Sequence, residues 1–233
     1  MESFLLNSFH GPGNIVTDSE ANVFLGGLGV PASPGVHGDW LHKYDSRGRF
    51  VRSFFKDMSG KMWFVMLKPN FLFDIHEDVI YAMQINRYDI HVINSDGDPV
   101  RSFNRVPRYY RGPDNNYVMD ERKFPSLEKL KDELYRLMSS WTMPQHLEIV
   151  NPGVILVQSL ANGLVAGCSK KYIMDLWSTQ GELIAEAIPC DHRFLCSDRK
   201  GNCYILISTN QDEALDKDPE YVIGKYSLTL PKK

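Results

Sequence analysis

Short runs of alternating apolar and polar residues fill most of the chain, broken every few positions by Gly, Asp, Asn and Pro. A period of two is that of a strand with one buried face, and the breaks carry turn chemistry. Four strand–turn–strand pairs are predicted: 14–18 with 22–26, 70–75 with 79–84, 147–150 with 154–159, and 193–197 with 202–208. Their turns read Asp18-Ser19-Glu20, His76-Glu77-Asp78, Asn151-Pro152-Gly153 and Asp198-Arg199-Lys200-Gly201. The second strands carry Val23, Phe24, Val79, Ile80, Tyr81, Val154, Ile155, Tyr204 and Ile205, residues that suit a packed, pleated surface.

A third strand follows each pair, at 40–44, 89–93, 172–177 and 221–227. Three of these run through Gly48, Gly97 and Gly181 into fourth strands at 50–54, 100–103 and 183–187. Glycine makes a positive φ cheap at such turns. The segments Tyr44–Phe54 and Ile93–Phe103 are near copies, with glycines 49 positions apart. Repeats of roughly 40–50 residues with about four strands each predict an all-β protein, a β-propeller with four four-stranded blades. It is either a four-bladed ring or part of a six-bladed one.

The last repeat shows no fourth strand, while Phe4–Phe9 reads as an extra strand ahead of the first. Either it completes the last blade and covers two exposed edges, or it is the outer strand of a preceding blade. Open blade edges would allow oligomers. The period breaks once, over 105–144. There Ser126 can cap a helix at Leu127–Trp141, with Leu127, Leu130, Leu134, Leu137, Met138 and Trp141 on one face. The chain is read as one propeller domain over 1–233 with a helical insertion at 105–144.

Composition narrows the function classes. Of 233 residues, 43% are hydrophobic and 24% charged, the balance of a globular chain rather than a disordered one. The net charge of −3 lacks the basic excess of a nucleic-acid binder. No apolar run reaches the 18 residues of a membrane span, and the first nine residues are not a secretion signal. The compartment, and with it the redox state of the cysteines, stays open.

The segments Asn22–Leu25, Leu41–Phe54, Tyr88–Gly97 and Asp175–Leu183 resemble the six-bladed β-propeller superfamily of bacterial proteins related to NHL-repeat and TolB-like propellers. The resemblance is to the pattern GNIYV followed by I-x-VFD-x-x-G-x-x-VRxF. It implies the fold rather than an activity. It also implies a chain short of six blades, incomplete at its N-terminus, in a group whose members are often exported.

Candidate chemistry falls in three places. Arg105, Arg108, Tyr109, Tyr110 and Arg111 form a basic-aromatic stretch suited to a ligand, or to packing the insertion onto the blades. Cys190, His192, Cys196 and Cys203 lie close in sequence, with Cys196 and Cys203 expected opposite each other, but their spacing matches no standard zinc site. Asp18, Asp74, Glu148 and Asp198 sit on or beside the first strands, where some propeller hydrolases hold calcium; Asp at a turn mouth is more often a turn former. Gly26-Gly27-Leu28-Gly29 reads as a flexible loop, since no helix pattern follows it. The leading expectation is a non-catalytic β-propeller that binds a protein, peptide or glycan, with no metal or cofactor. The alternative is a calcium-assisted hydrolase or lactonase with its site in the central channel.

Overall fold

The computed structural model describes residues 9–10, 14–29, 39–56, 71–85, 87–112, 126, 128–129, 132–133, 136, 139–161, 171–208 and 221–229. The chain is all-β, built from consecutive antiparallel blades of the β-propeller class. Blade one joins β2 (Ile15–Thr17), β3 (Val23–Gly26), β5 (Asp39–Tyr44) and β6 (Phe50–Lys56) in that order. Blade two joins β7 (Phe71–His76), β8 (Val79–Gln84), β9 (Ile90–Asn94) and β10 (Pro99–Phe103). Blade three joins β11 (Met143–Asn151), β12 (Val154–Leu160), β13 (Tyr172–Ser178) and β14 (Leu183–Cys190). Blade four has three described strands, β15 (Arg193–Ser197), β16 (Asn202–Ser208) and β17 (Tyr221–Ser227). A small pair, β1 (Phe9–His10) with β4 (Leu28–Gly29), stands apart. Each strand predicted for the four repeats is present, most with ends shifted by a residue or more.

Three expectations change. Gly26–Gly29 is not a loop throughout, because Leu28 and Gly29 pair with His10 and Phe9. Phe9 is therefore used beside blade one, while Phe4–Ser8 lies outside the described residues. The helix is narrower than read: Glu128, Lys129, Asp132, Glu133 and Arg136 are helical, with Ser126 Oγ accepting the Lys129 N–H at 3.3 Å as an N-cap. Ser139 Oγ then donates to the Arg136 carbonyl at 2.7 Å and the chain turns, so Trp141 is buried beyond the helix rather than on its face. Leu127, Leu130, Leu134, Leu137 and Met138 lie outside the described residues.

The repeat is written in its turns. Asp18 Oδ1 accepts the N–H groups of Glu20 and Asn22. Asp45 Oδ1 does the same for Arg47 and Arg49, Asn94 Oδ1 for Asp96 and Asp98, and Asp198 Oδ1 for Lys200 and Asn202. One side-chain oxygen thus satisfies two backbone donors that a tight hairpin leaves unpaired. In a meander, strand direction alternates. These turns therefore share one end of each blade, and the strands that close at Gly26, Lys56, Phe103, Leu160 and Ser208 end at the other.

The chain divides into two compact units, residues 1–106 with 112–130, and 107–111 with 131–233. In the first, Phe24, Trp40, Leu41 and Phe54 interleave with Phe71, Phe73, Ile75, Ile80 and Ile93 in one buried core between blades one and two. Trp40 stacks on Phe71 at 6.0 Å. A fully buried Phe or Leu contributes about 1.5–3 kcal/mol, so this seam dominates the unit's stability. Its fit is tight. A Cβ on Gly26 would lie 2.7 Å from the Phe73 ring, and one on Gly97 would lie 2.7 Å from Phe54. Ser19 donates its N–H and Oγ–H to Asp78 across the same seam, and Lys43 Nζ reaches the Ser95 carbonyl at 3.1 Å. In the second unit Val150, Val154, Leu156 and Leu176 of blade three pack Phe194 and Cys203 of blade four. Buried Gln158 ties the two, accepting the Phe194 N–H and donating to the His192 carbonyl, each at 2.9 Å.

The first two blades repeat at the level of single pairs. His42 faces Ser53, and His91 faces Ser102. His42 Nε2 lies 2.8 Å from the Gly27 carbonyl and Nδ1 lies 2.7 Å from Ser53 Oγ. The carbonyl can only accept, so Nε2 carries the proton and the ring is satisfied while neutral. Burial lowers the pKa of both histidines, against raising contributions from Asp39 at His42 and Asp89 at His91, while Arg87 lowers His91 further.

Two outcomes are expected. Gly97→Ala forces both a φ of +86° and the Phe54 contact, whereas Gly153→Ala at φ +96° meets nothing within 4 Å. Gly153→Ala should cost about 1–2 kcal/mol and Gly97→Ala clearly more, read as shifts of the urea midpoint at constant slope. Second, a lowered histidine pKa means the unfolded chain binds protons that the folded chain refuses. Stability is then full above the unfolded value of 6.5 and falls as pH drops through it toward the folded values. The melting temperature should be lower at pH 5.5 than at 7.5, and His91→Phe should reduce the difference; a rise on acidification would contradict the account.

Candidate functional site

Four of the five basic-aromatic residues, Arg108, Tyr109, Tyr110 and Arg111, belong to the second unit, the one that holds blade three. The Tyr110 N–H donates to the Pro107 carbonyl at 3.0 Å, closing a turn with Arg108 and Tyr109 at its corner. Arg111 is held from both sides. Its N–H donates to Thr142 Oγ1 at 3.2 Å, and its carbonyl accepts the Thr142 N–H at 2.9 Å. Arg105 is exposed and belongs to the first unit, just after β10.

The turn is anchored by a buried carboxylate. Asp175 is fully buried on β13, and Tyr109 donates its phenolic hydrogen to Asp175 Oδ2. Oδ1 accepts the Ala187 N–H at 3.0 Å. Between β13 and β14 the register slips here, Met174 facing Ile188 while Leu176 faces Ala185. Ala187 sits at φ +58° in this bulge. A bulge leaves backbone groups without ladder partners, and Asp175 takes one of them. The Tyr109 and Tyr110 rings are half-buried, whereas the arginines stay outside. The Arg108 side chain is 89% exposed and its Nε is 3.7 Å from Glu186 Oε1, an ion pair too long for a hydrogen bond.

The other predicted groups serve the scaffold. Asp18 and Asp198 are committed to their turns, as described above. Asp74 is buried on β7, where Oδ1 accepts the Ile75 N–H at 2.8 Å. Glu148 Oε1 accepts the N–H and Oγ–H of Ser197, each at 2.6 Å, while Oε2 pairs with His146 Nε2 at 2.9 Å. Serine and histidine both donate to the carboxylate, so the histidine is not placed to take the serine proton. This is a clamp between β11 and β15 rather than a nucleophile with its base.

The cysteines do not meet as expected. A slip between Phe194 and Cys196 sets Cys196 opposite Tyr204, and Ser197 opposite Cys203. Cys203 is buried in the blade-three seam, where burial, then Glu148, Asp198 and Cys196, push its thiol up to about 11. Burial and then Glu148 also raise Cys196. Both are thiols rather than thiolates at neutral pH, the state of a packing group rather than a nucleophile. Cys190 Sγ contacts the His192 carbonyl at 3.2 Å. Among the described residues no three His, Cys, Asp or Glu side chains converge as a metal set.

The class defined by this geometry is a β-propeller in which Asp18, Asp74, Glu148, Asp175 and Asp198 are tied into turns, bulges and blade contacts. No family model matches the chain. No curated protein matches it either. A solved structure is similar: the crystal structure of a member of the DUF4221 family from Bacteroides vulgatus ATCC 8482, at 13% identity and a TM-score of 0.52. The match covers 91% of this chain and 63% of that one, so the chain spans under two thirds of its neighbour's length. At this identity the likeness extends to the fold alone.

Tyr109→Phe removes a hydrogen bond to a buried charge and should cost about 1.5–3 kcal/mol in urea unfolding. Limited proteolysis should then cut within 107–111 sooner than in the parent chain. An unchanged midpoint would mean that Asp175 does not hold this turn.

Proposed function

We propose that the chain is a non-catalytic binding protein whose contact surface is the turn at 107–111, with Arg108 and Arg111 as its reaching groups. One observation carries this reading: Tyr109 and Thr142 fix the backbone while Arg108 and Arg111 are both exposed. Pre-ordering a loop before the ligand arrives removes much of the entropic cost of binding. Arg105 is a further exposed cation of the same stretch. A protein, peptide or glycan ligand is consistent with such a surface. The hydrolase alternative would draw its calcium ligands from Asp18, Asp74, Glu148 and Asp198, whose carboxylates already accept backbone or side-chain hydrogen bonds within the scaffold.

The purified chain on a mixed peptide and glycan array should give a defined set of binders. Arg108→Ala/Arg111→Ala should weaken them by about tenfold or more, the scale of interface hot spots. No binder, or binders indifferent to the double variant, would refute the proposal. Turnover of lactone or ester substrates that depends on added calcium would favour the alternative.

A further inference from the structure

We infer that the 107–111 turn takes an acidic peptide, with Asp or Glu carboxylates of the partner gripped by Arg108 and Arg111; the inference rests on the binding role proposed above and names its ligand. The arginines of this chain differ in what their forks already hold. Arg49 is filled by Asp45, with Nε at 2.7 Å from Oδ2 and a terminal nitrogen at 2.6 Å from the same oxygen. Arg136 is filled by Glu133 through two contacts of 2.6 Å. Arg52 and Arg101 lie over the rings of Phe54 and Phe103 at 5.9 and 5.8 Å. Among the described residues Arg108 has the long contact to Glu186 alone, and Arg111 is exposed with its backbone, not its guanidinium, bound to Thr142. An open guanidinium fork matches a carboxylate with two parallel hydrogen bonds.

The mount selects the ligand class. Tyr109 turns inward to Asp175, which leaves Arg108 at the turn corner pointing out. Both tyrosine rings are half-buried, and the Tyr109 hydroxyl is spent on the carboxylate. A sugar or a nucleic-acid base binds by laying a face on an exposed ring, and this turn offers cations instead of such a platform. The net charge of −3 also disfavours a long polyanion, whereas a short acidic segment feels mainly the local cations.

The test uses fluorescence anisotropy with a fluorescein-labelled octamer of glutamate, beside a glutamine octamer, a heparin octasaccharide and oligo-dT of the same length. The full chain should bind the glutamate octamer and not the glutamine one, with affinity falling as salt rises. Arg108→Ala and Arg111→Ala should each weaken it by about tenfold, the loss of one charge-assisted contact. Arg108→Glu/Arg111→Glu should abolish it, with the parent circular dichroism spectrum retained. Arg49→Ala and Arg136→Ala should stay within about twofold of the parent, since their forks are already filled. Absence of glutamate-octamer binding, equal loss in the Arg49 and Arg136 variants, or tighter binding of the heparin or dT probe would overturn the inference. If the octamer fails while the array binders still depend on Arg108 and Arg111, the binding role stands and only the acidic-peptide assignment falls.

Discussion

A blade of four short strands can bury an apolar face only against a neighbouring blade. This constraint governs the rest of the structure. Blade one buries Phe24, Trp40 and Phe54 only because blade two offers Phe71, Phe73 and Ile80. Blade three buries Leu156 and Leu176 because blade four offers Phe194 and Cys203. Stability in such a chain comes from nearest-neighbour seams rather than one central core. Polar groups then align the seams: Asp78 on Ser19, Glu148 on Ser197, Gln158 on Phe194. Each is a carboxylate or amide whose hydrogen-bonding capacity is spent on the neighbouring blade.

The same constraint explains where the candidate surface lies. The face of blade three that carries Asp175 is covered within its own unit by residues 107–111. A covering segment must direct its apolar and hydrogen-bonding parts inward, so Tyr109 turns toward the sheet. Whatever remains points out, and here that is Arg108 and Arg111. Scaffold and binding surface are two sides of one short segment.

Much of the fold was legible in the sequence because turns are local. Gly48, Gly97 and Asn151-Pro152-Gly153 mark hairpins within a few residues of themselves, and alternation supplied the strands. Bulges were not legible. A single inserted residue between Phe194 and Cys196 reverses the facing of everything beyond it, and a period of two carries no sign of the slip. The pairing of Leu28 with His10 was missed for a different reason: two residues are too short a run to show a pattern. The basic-aromatic stretch could be found by composition, but not the division of labour inside it, since Tyr109 and Asp175 are 66 positions apart. One signal was available. Asp175 is the sole charge in the run Tyr172-Ile173-Met174-Asp175-Leu176-Trp177, and a carboxylate in the middle of a buried strand must have donors from somewhere.

The Asx-braced hairpins have a practical side. Because strand direction alternates, Ser46 and Asp96 sit at the opposite end of their blades from the strand ends at Gly26, Lys56 and Phe103, and both are exposed. Neither side chain is the bracing oxygen, a duty that falls to Asp45 and Asn94. A cysteine introduced at either position would give a handle for a dye or a sensor chip. Immobilised that way, blades one and two would be held in one orientation, with the strand ends away from these turns facing solution.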